Sequence, residues 1–426
     1  MIACRSCKGG PKPSVGIAMA TTKILLSLLS LSVIACVPTV KTPLKQALPS
    51  VLGDLGAALP CWREVATVAL PGPVQAATLA DVDHNGALDL IAITTTERGP
   101  ALVFAFNSGD GDLTRTTSLE LNGAPVAIAT ADVNLDGSVD LLVASGPANS
   151  GEPSALHALL GDGAGGFIAG STPLPLYPAG LMVLDIDGND VLDAVVLGSK
   201  GKRLVTLRGD GRGEFELVER VALPGGITPA RLAFADFDGD RLIDMATLHD
   251  RSGDRATLTL HRGRGGDFRP WMRMEVGRGG RALATSDLNR DGNADLVVLT
   301  DRSADYGSPS AVLLLGNGAF ETDFLGVRYF GPADPASLQF ADVNGDGYPD
   351  LLVPRAAADG IDQIPADRRG GLGKLSVSPL PAMTDTLLVG DLNRDGRPEL
   401  LGLSSARASA SVLVTSACEA DSAHAT

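Results

Sequence analysis

Oxygen-bearing side chains recur at one spacing seven times in this chain. The first set is Asp81, Asp83, Asn85 and Asp89, followed by Asp132, Asn134, Asp136 and Asp140, then Asp185, Asp187, Asn189 and Asp193. The fourth and fifth are Asp236, Asp238, Asp240 and Asp244, and Asp287, Asn289, Asp291 and Asp295. Asp342, Asn344, Asp346 and Asp350 make the sixth, and Asp391, Asn393, Asp395 and Glu399 the last. Within each nine-residue stretch these are positions 1, 3, 5 and 9. Position 7 is Ala87, Ser138, Val191, Leu242, Asn293, Tyr348 or Arg397, which have only a backbone carbonyl in common. Four side-chain oxygens and one carbonyl on a short loop are what a hard cation takes as donors. A donor set without His or Cys points to Ca²⁺ over zinc or copper, and a flexible, carboxylate-rich loop favours Ca²⁺ over the more demanding Mg²⁺. Up to seven Ca²⁺ ions are expected, one per repeat.

An EF-hand needs a bidentate Glu at position 12, where the first three loops have Ala92, Val143 and Val196. Short apolar runs such as LDLIAI, VDLLVA and ADLVVL follow the loops and read as strands. The loops therefore join strand to strand. Five of them have Gly at position 6, the sharp-turn position; the third and fourth have Asp190 and Arg241, with Gly188 and Gly239 at position 4. A different turn is expected around Arg241, and altered coordination around Glu399, whose side chain is longer.

The loops start 51, 53, 51, 51, 55 and 49 residues apart, so a unit of about 50 residues recurs from about residue 62 to the C-terminus. The loops, the small residue before most of them (Ala80, Ala131, Ala235, Ser286, Ala341, Gly390) and later turns such as LLGDGAGGF (159–167) and LRGDGRGEF (207–215) resemble FG-GAP/VCBS repeats. Those repeats build integrin-alpha-like β-propellers, so the resemblance, over about 360 of 426 residues, implies an all-β propeller with interaction surfaces. Arg208, Gly209 and Asp210 spell an integrin ligand, yet they occupy the same turn as Leu160, Gly161 and Asp162 and read as repeat structure.

Each repeat reads as four strands, which predicts a seven-bladed β-propeller of four-stranded blades. The sixth copy is the poorest, because Pro365 interrupts its third strand. After the last loop only two strands remain before the chain ends, one short of a blade. REVATVAL (63–70) at the front supplies the missing strand, so the first and last segments are expected to share a blade and remove an open edge. Cys61 and Cys418 flank that junction, and a disulfide between them would lock the ring.

Residues 24–35 form an apolar run preceded by Lys23 and too short to span a bilayer, the layout of a secretory signal. The run ends Val33-Ile34-Ala35-Cys36, which resembles a bacterial lipobox, so Cys36 is the expected lipidation site. The chain then divides into a signal region (1–35, with Met19 as a conventional start), a lipidated cysteine and tether (36–60), and the propeller (61–426). Cys4 and Cys7 form one CxxC with no second pair, a weak signal for chemistry.

The formal net charge is −15, and because residues 1–35 are basic the remainder carries −19. Bound Ca²⁺ would relieve this self-repulsion, and the acidic surface argues against nucleic acid as a partner. His84, His157, His249 and His261 occupy no recurring position and accompany no nucleophile motif. The expected function is a calcium-stabilised binding or adhesion module for protein or glycan: a non-enzymatic, monomeric ring held by lipid to a bacterial envelope membrane, at the outer membrane or cell surface. The alternatives are a polysaccharide-active lyase or hydrolase and a structural envelope scaffold; fold alone does not separate them.

Overall fold

The computed structural model describes residues 59–147, 152–199, 203–222, 229–249, 255–265, 267–302, 310–318, 322–328, 338–355, 360–381, 384 and 386–416. The signal region, Cys36, most of the tether and Cys418 lie outside them.

The described elements are all strands. The chain opens with β1 (Cys61–Ala69), and the first repeat follows as β2 (Val74–Ala80), β3 (Asp89–Thr96), β4 (Gly99–Phe106) and β5 (Arg115–Glu120). The second contains β6 (Ala124–Ala131), β7 (Asp140–Gly146), β8 (Ser154–Gly161) and β9 (Phe167–Leu174). The third contains β10 (Pro178–Leu184), β11 (Asp193–Gly198), β12 (Arg203–Gly209) and β13 (Phe215–Ala222). Next come β14 (Pro229–Ala235), β15 (Asp244–His249), β16 (Arg255–Arg264), β17 (Asp267–Ser286), β18 (Asp295–Arg302), β19 (Ser310–Gly316) and β20 (Thr322–Arg328). The sixth repeat has β21 (Gln339–Ala341), β22 (Asp350–Pro354), β23 (Gly360–Ile364) and β24 (Ser376–Pro379); the last has β25 (Thr386–Gly390), β26 (Glu399–Ser404) and β27 (Ser409–Ser416).

These strands make six antiparallel sheets, not the expected seven: five of four strands and one of seven, β14 to β20. The fourth and fifth repeats are joined by β17, which pairs with β16 through Asp267–Arg278 and with β18 through Arg278–Ser286. Between the first and second repeats the strands break across residues 121–123, and between the second and third across 175–177. From Val276 to Arg281 the backbone instead stays in strand, and one strand continues from repeat to repeat. Gly277 (φ 131°) and Gly279 (φ 63°) provide the turn of the backbone there.

As expected, β1 closes the last sheet, in the order β1-β27-β26-β25. Its register sets Cys61 opposite Ser416 and Val68 opposite Ala410. The sixth sheet has the shortest strands, and β23 stops one residue before Pro365.

Apolar runs, not alternating patterns, form the second strand of each repeat because both faces are covered. In β3, Leu90 and Ala92 pack against Leu401 and Leu403 of the last repeat, while Ile91 and Ile93 pack against Leu141 and Val143 of the second. In β18, Leu296 and Val298 face the fourth repeat and Val297 and Leu299 the sixth. Strand periodicity thus distributes side chains between two inter-repeat cores. Such cores join each repeat to the next and the last back to the first, the closed packing of a propeller.

Candidate metal centre

Each loop joins the first and second strands of its repeat and takes its shape from two positive-φ residues, at positions 4 and 6. Position 4 is His84, Leu135, Gly188, Gly239, Arg290, Gly345 or Arg394, and all seven have φ between 54° and 76°. Position 6 is Gly in five loops, and Asp190 (63°) and Arg241 (69°) adopt the same region. The different turn expected at Arg241 is therefore absent: its amide donates to Asp236 Oδ2 at 2.8 Å, as Asp190 does to Asp185.

The acceptors are wired alike in every copy. Position 1 takes the position-6 amide on Oδ2, as with Gly86 to Asp81 (2.7 Å) and Gly292 to Asp287 (2.9 Å). The position-5 oxygen accepts the position-7 amide, as from Ala87 to Asn85 and Ser138 to Asp136, both 2.7 Å. Position 9 takes the position-2 amide on Oδ2 in the first six loops, and Glu399 Oε2 accepts from Leu392 at 2.7 Å in the seventh. In six loops the other oxygen of that buried Asp accepts a backbone amide from the region where the third strand ends: Asn107, Gly161, Gly209, Gly263, Gly316 or Ala366. Position 9 is therefore a latch between the loop and the third strand as well as a candidate ligand. Each carboxylate oxygen has two lone pairs, so accepting one amide leaves room for a cation.

Position 3 divides the loops. Asn134, Asn289, Asn344 and Asn393 donate their amide nitrogen to the position-5 carboxylate at 2.9 to 3.2 Å. Asp83, Asp187 and Asp238 instead join positions 1 and 9 in groups whose oxygens lie within 4.8 Å of one another, at Asp81/Asp83/Asp89, Asp185/Asp187/Asp193 and Asp236/Asp238/Asp244. Asp83 Oδ1 and Asp187 Oδ1 are buried with no hydrogen-bond partner. A buried carboxylate oxygen without a donor, beside two more carboxylates, fits a divalent cation. In these loops Asp83 and Asp187 would hold it with positions 1 and 9.

Crowding shows in the acidities. Burial, reinforced by neighbouring loop carboxylates and opposed by the backbone amides, pushes Asp89, Asp244 and Asp295 up to about 6 and Asp350 to about 7. In contrast, the Ser138 amide holds exposed Asp136 below the usual range.

Three arginines, not anticipated from the repeat pattern, sit on the position-3 carboxylates. Arg115 approaches Asp83 at 2.8 Å, Arg208 approaches Asp187 at 3.2 Å and Arg262 approaches Asp238 at 2.7 Å. Arg208 is thus engaged by its own repeat, and Asp210 accepts amides from Arg212 and Glu214 (2.8 and 3.0 Å), so the Arg-Gly-Asp sequence is a repeat turn. Arg394, at position 4 of the last loop, donates to the Asn85 carbonyl and Oδ1 (2.6 and 2.9 Å), linking the last loop to the first.

Asn107 also went unnoticed. It stands where other repeats have Gly161, Gly209, Gly263 and Gly316, whose Cα atoms lie so close to the position-8 carbonyl that an added Cβ would fall 2.0 to 2.3 Å from it. Asn107 instead donates its amide to that carbonyl, Leu88 O (3.1 Å), and to Leu392 O of the last repeat (2.7 Å). Its departure from the glycine pattern was the available signal. His249 in β15 and His261 in β16 are both buried, and each places Nε2 2.9 Å from Thr247 Oγ1.

A closed ring of antiparallel sheets, with an acidic cation-type loop between the first two strands of each repeat, defines the repeat-built β-propellers. The FG-GAP-like repeat matches residues 81–143, 185–247 and 287–353, and the FG-GAP repeat matches 335–377. The chain is an FG-GAP repeat protein. No curated protein matches it significantly in sequence. Among solved structures it is similar to BBS1N in complex with ARL6DN, soaked with mercury, at 14% identity and a TM-score of 0.55 over 84% of this chain and 98% of that one. A lead-soaked crystal of that complex gives 15% and 0.56 over the same shares. At such identities the likeness concerns the fold alone.

Proposed function

We propose that the protein is a calcium-stabilised interaction module, exported and lipid-anchored at Cys36, which presents its propeller to a protein or glycan of the cell envelope. The observation that carries the calcium reading is the pair of buried, donor-free oxygens of Asp83 and Asp187, each beside two further carboxylates. Asn at position 3 still offers a carbonyl oxygen, so the other loops belong to the same reading. FG-GAP propellers suggest interaction modules, and the outer strands of this one expose large apolar side chains, among them Ile168, Val218 and Trp271. The expected disulfide between Cys61 and Cys418 would suit an oxidising envelope compartment. No catalysis is proposed.

The purified protein should bind isolated envelope protein or polysaccharide fractions in calcium and release them in chelator, without degrading polysaccharide. Binding unaffected by chelator, or polysaccharide turnover, would contradict this reading.

A further inference from the structure

The position-3 residue and the third strand vary together within this one chain. Arg208 and Arg262 directly precede Gly209 and Gly263, in the repeats with Asp187 and Asp238 at position 3. Where position 3 is Asn134, Asn289 or Asn344, the matching third-strand residue is Leu160, Leu315 or Pro365. In the first repeat that place belongs to Phe106. There Arg115 crosses its ring at 4.2 Å to reach Asp83. Arg262 is likewise braced, 4.3 Å over the Trp271 ring. Every Asp at position 3 therefore has a guanidinium, supplied from the third or fourth strand of its own repeat. Three Asn loops carry an apolar residue at the corresponding place.

Charge explains the pairing. At positions 1, 3, 5 and 9, six loops hold three carboxylates and one Asn each, and only the loop at Asp236 holds four, with the least exposed of the three arginines set against it. An Asn at position 3 steadies its neighbour with its own amide. An Asp there brings three carboxylates within 4.8 Å of one another, and the arginine offsets their repulsion.

We propose that Arg115, Arg208 and Arg262 are resident counterions that make the loops at Asp81, Asp185 and Asp236 a weaker calcium class than the four Asn loops. This rests on the calcium reading above. A cation entering an Asp loop shares its position-3 carboxylate with a guanidinium held on the opposite oxygen. The like charges, two on the ion and one on the guanidinium, lower affinity about fifteenfold, the size expected in water at about 5 Å. When calcium is scarce the arginine balances the carboxylates, so these loops keep their shape across a range of calcium concentrations.

Calorimetric calcium titration and melting in chelator test this on the wild type, the triple variant R115Q/R208Q/R262Q, the single variant R208Q and the lysine variants. Glutamine removes the charge together with the guanidinium that lies over the Phe106 and Trp271 rings, and lysine keeps the charge without that planar group. The expected result is two affinity classes in the wild type, with the weaker class tightened about fifteenfold in the triple variant and proportionally in R208Q. Glutamine should also lower the melting temperature in chelator, and lysine, which keeps the charge, should restore both properties. Unchanged or weakened calcium binding in the glutamine variants would overturn the proposal, as would lysine behaving like glutamine. A wild type that binds no calcium would defeat the calcium reading itself, and this inference with it; lower melting of the variants in chelator would then mark the arginines as structural.

Discussion

Asp295 accepts one amide hydrogen from Leu288 and another from Gly316, at 2.9 and 2.8 Å, and is fully buried. Those two bonds pin the loop to the third strand with or without an ion. Asn in its place retains one acceptor but turns an NH₂ toward the other amide. D295N should therefore lose about 1–3 kcal/mol of stability even in chelator, measured by urea unfolding. A loss seen only in calcium would make Asp295 a ligand and nothing more. The two buried imidazoles of the fourth repeat make a different prediction. Burial lowers His261 to about 4, and burial together with Arg273 lowers His249. Both stay neutral in the fold while the unfolded chain takes up protons below about 6.5, so their contribution is complete above that pH and is lost as pH falls toward 4. Comparison of wild type with H249Q/H261Q at fixed calcium should show the wild type losing roughly 1–3 kcal/mol more over that window. Parallel pH profiles would contradict this.

At the scale of elements, the sequence disclosed whatever was repeated. The loops, the strands after them, the weak third strand at Pro365 and the closing role of REVATVAL were all legible, because position and periodicity fix them. Features belonging to one repeat were not. The continuity of β17 belongs to the one passage between the fourth and fifth repeats, which a search for strand-like runs within each repeat passes over. Asn107, Arg115 and the Thr247 pair of histidines act across strands or repeats, and their partners are distant in sequence except within the fourth repeat. Ring closure yields a third prediction. Cys61 is disulfide-bonded and lies opposite Ser416 in the β1–β27 ladder, two residues before Cys418. Peptide mapping should recover Cys61 linked to Cys418, and C61S should cost about 3–5 kcal/mol, as expected for opening so long a loop. A Cys61 peptide linked elsewhere would refute the pairing.

For the whole molecule, apolar seams between repeats hold the ring, and the loops crowd carboxylates whose pKa burial and mutual repulsion raise above the usual range. Cations at the loops would offset that crowding, at a net charge of −15 for the chain. The measurement that bears most directly on this account is calorimetric titration of the chelator-treated protein with Ca²⁺, with melting curves at each step. The account predicts several ions bound, approaching one per loop, and a melting temperature that climbs with calcium by about 10 °C or more, since ions that bind only the folded state stabilise it by mass action. No bound calcium and an unchanged melting temperature would contradict it, leaving the loops as turns held by their amides alone.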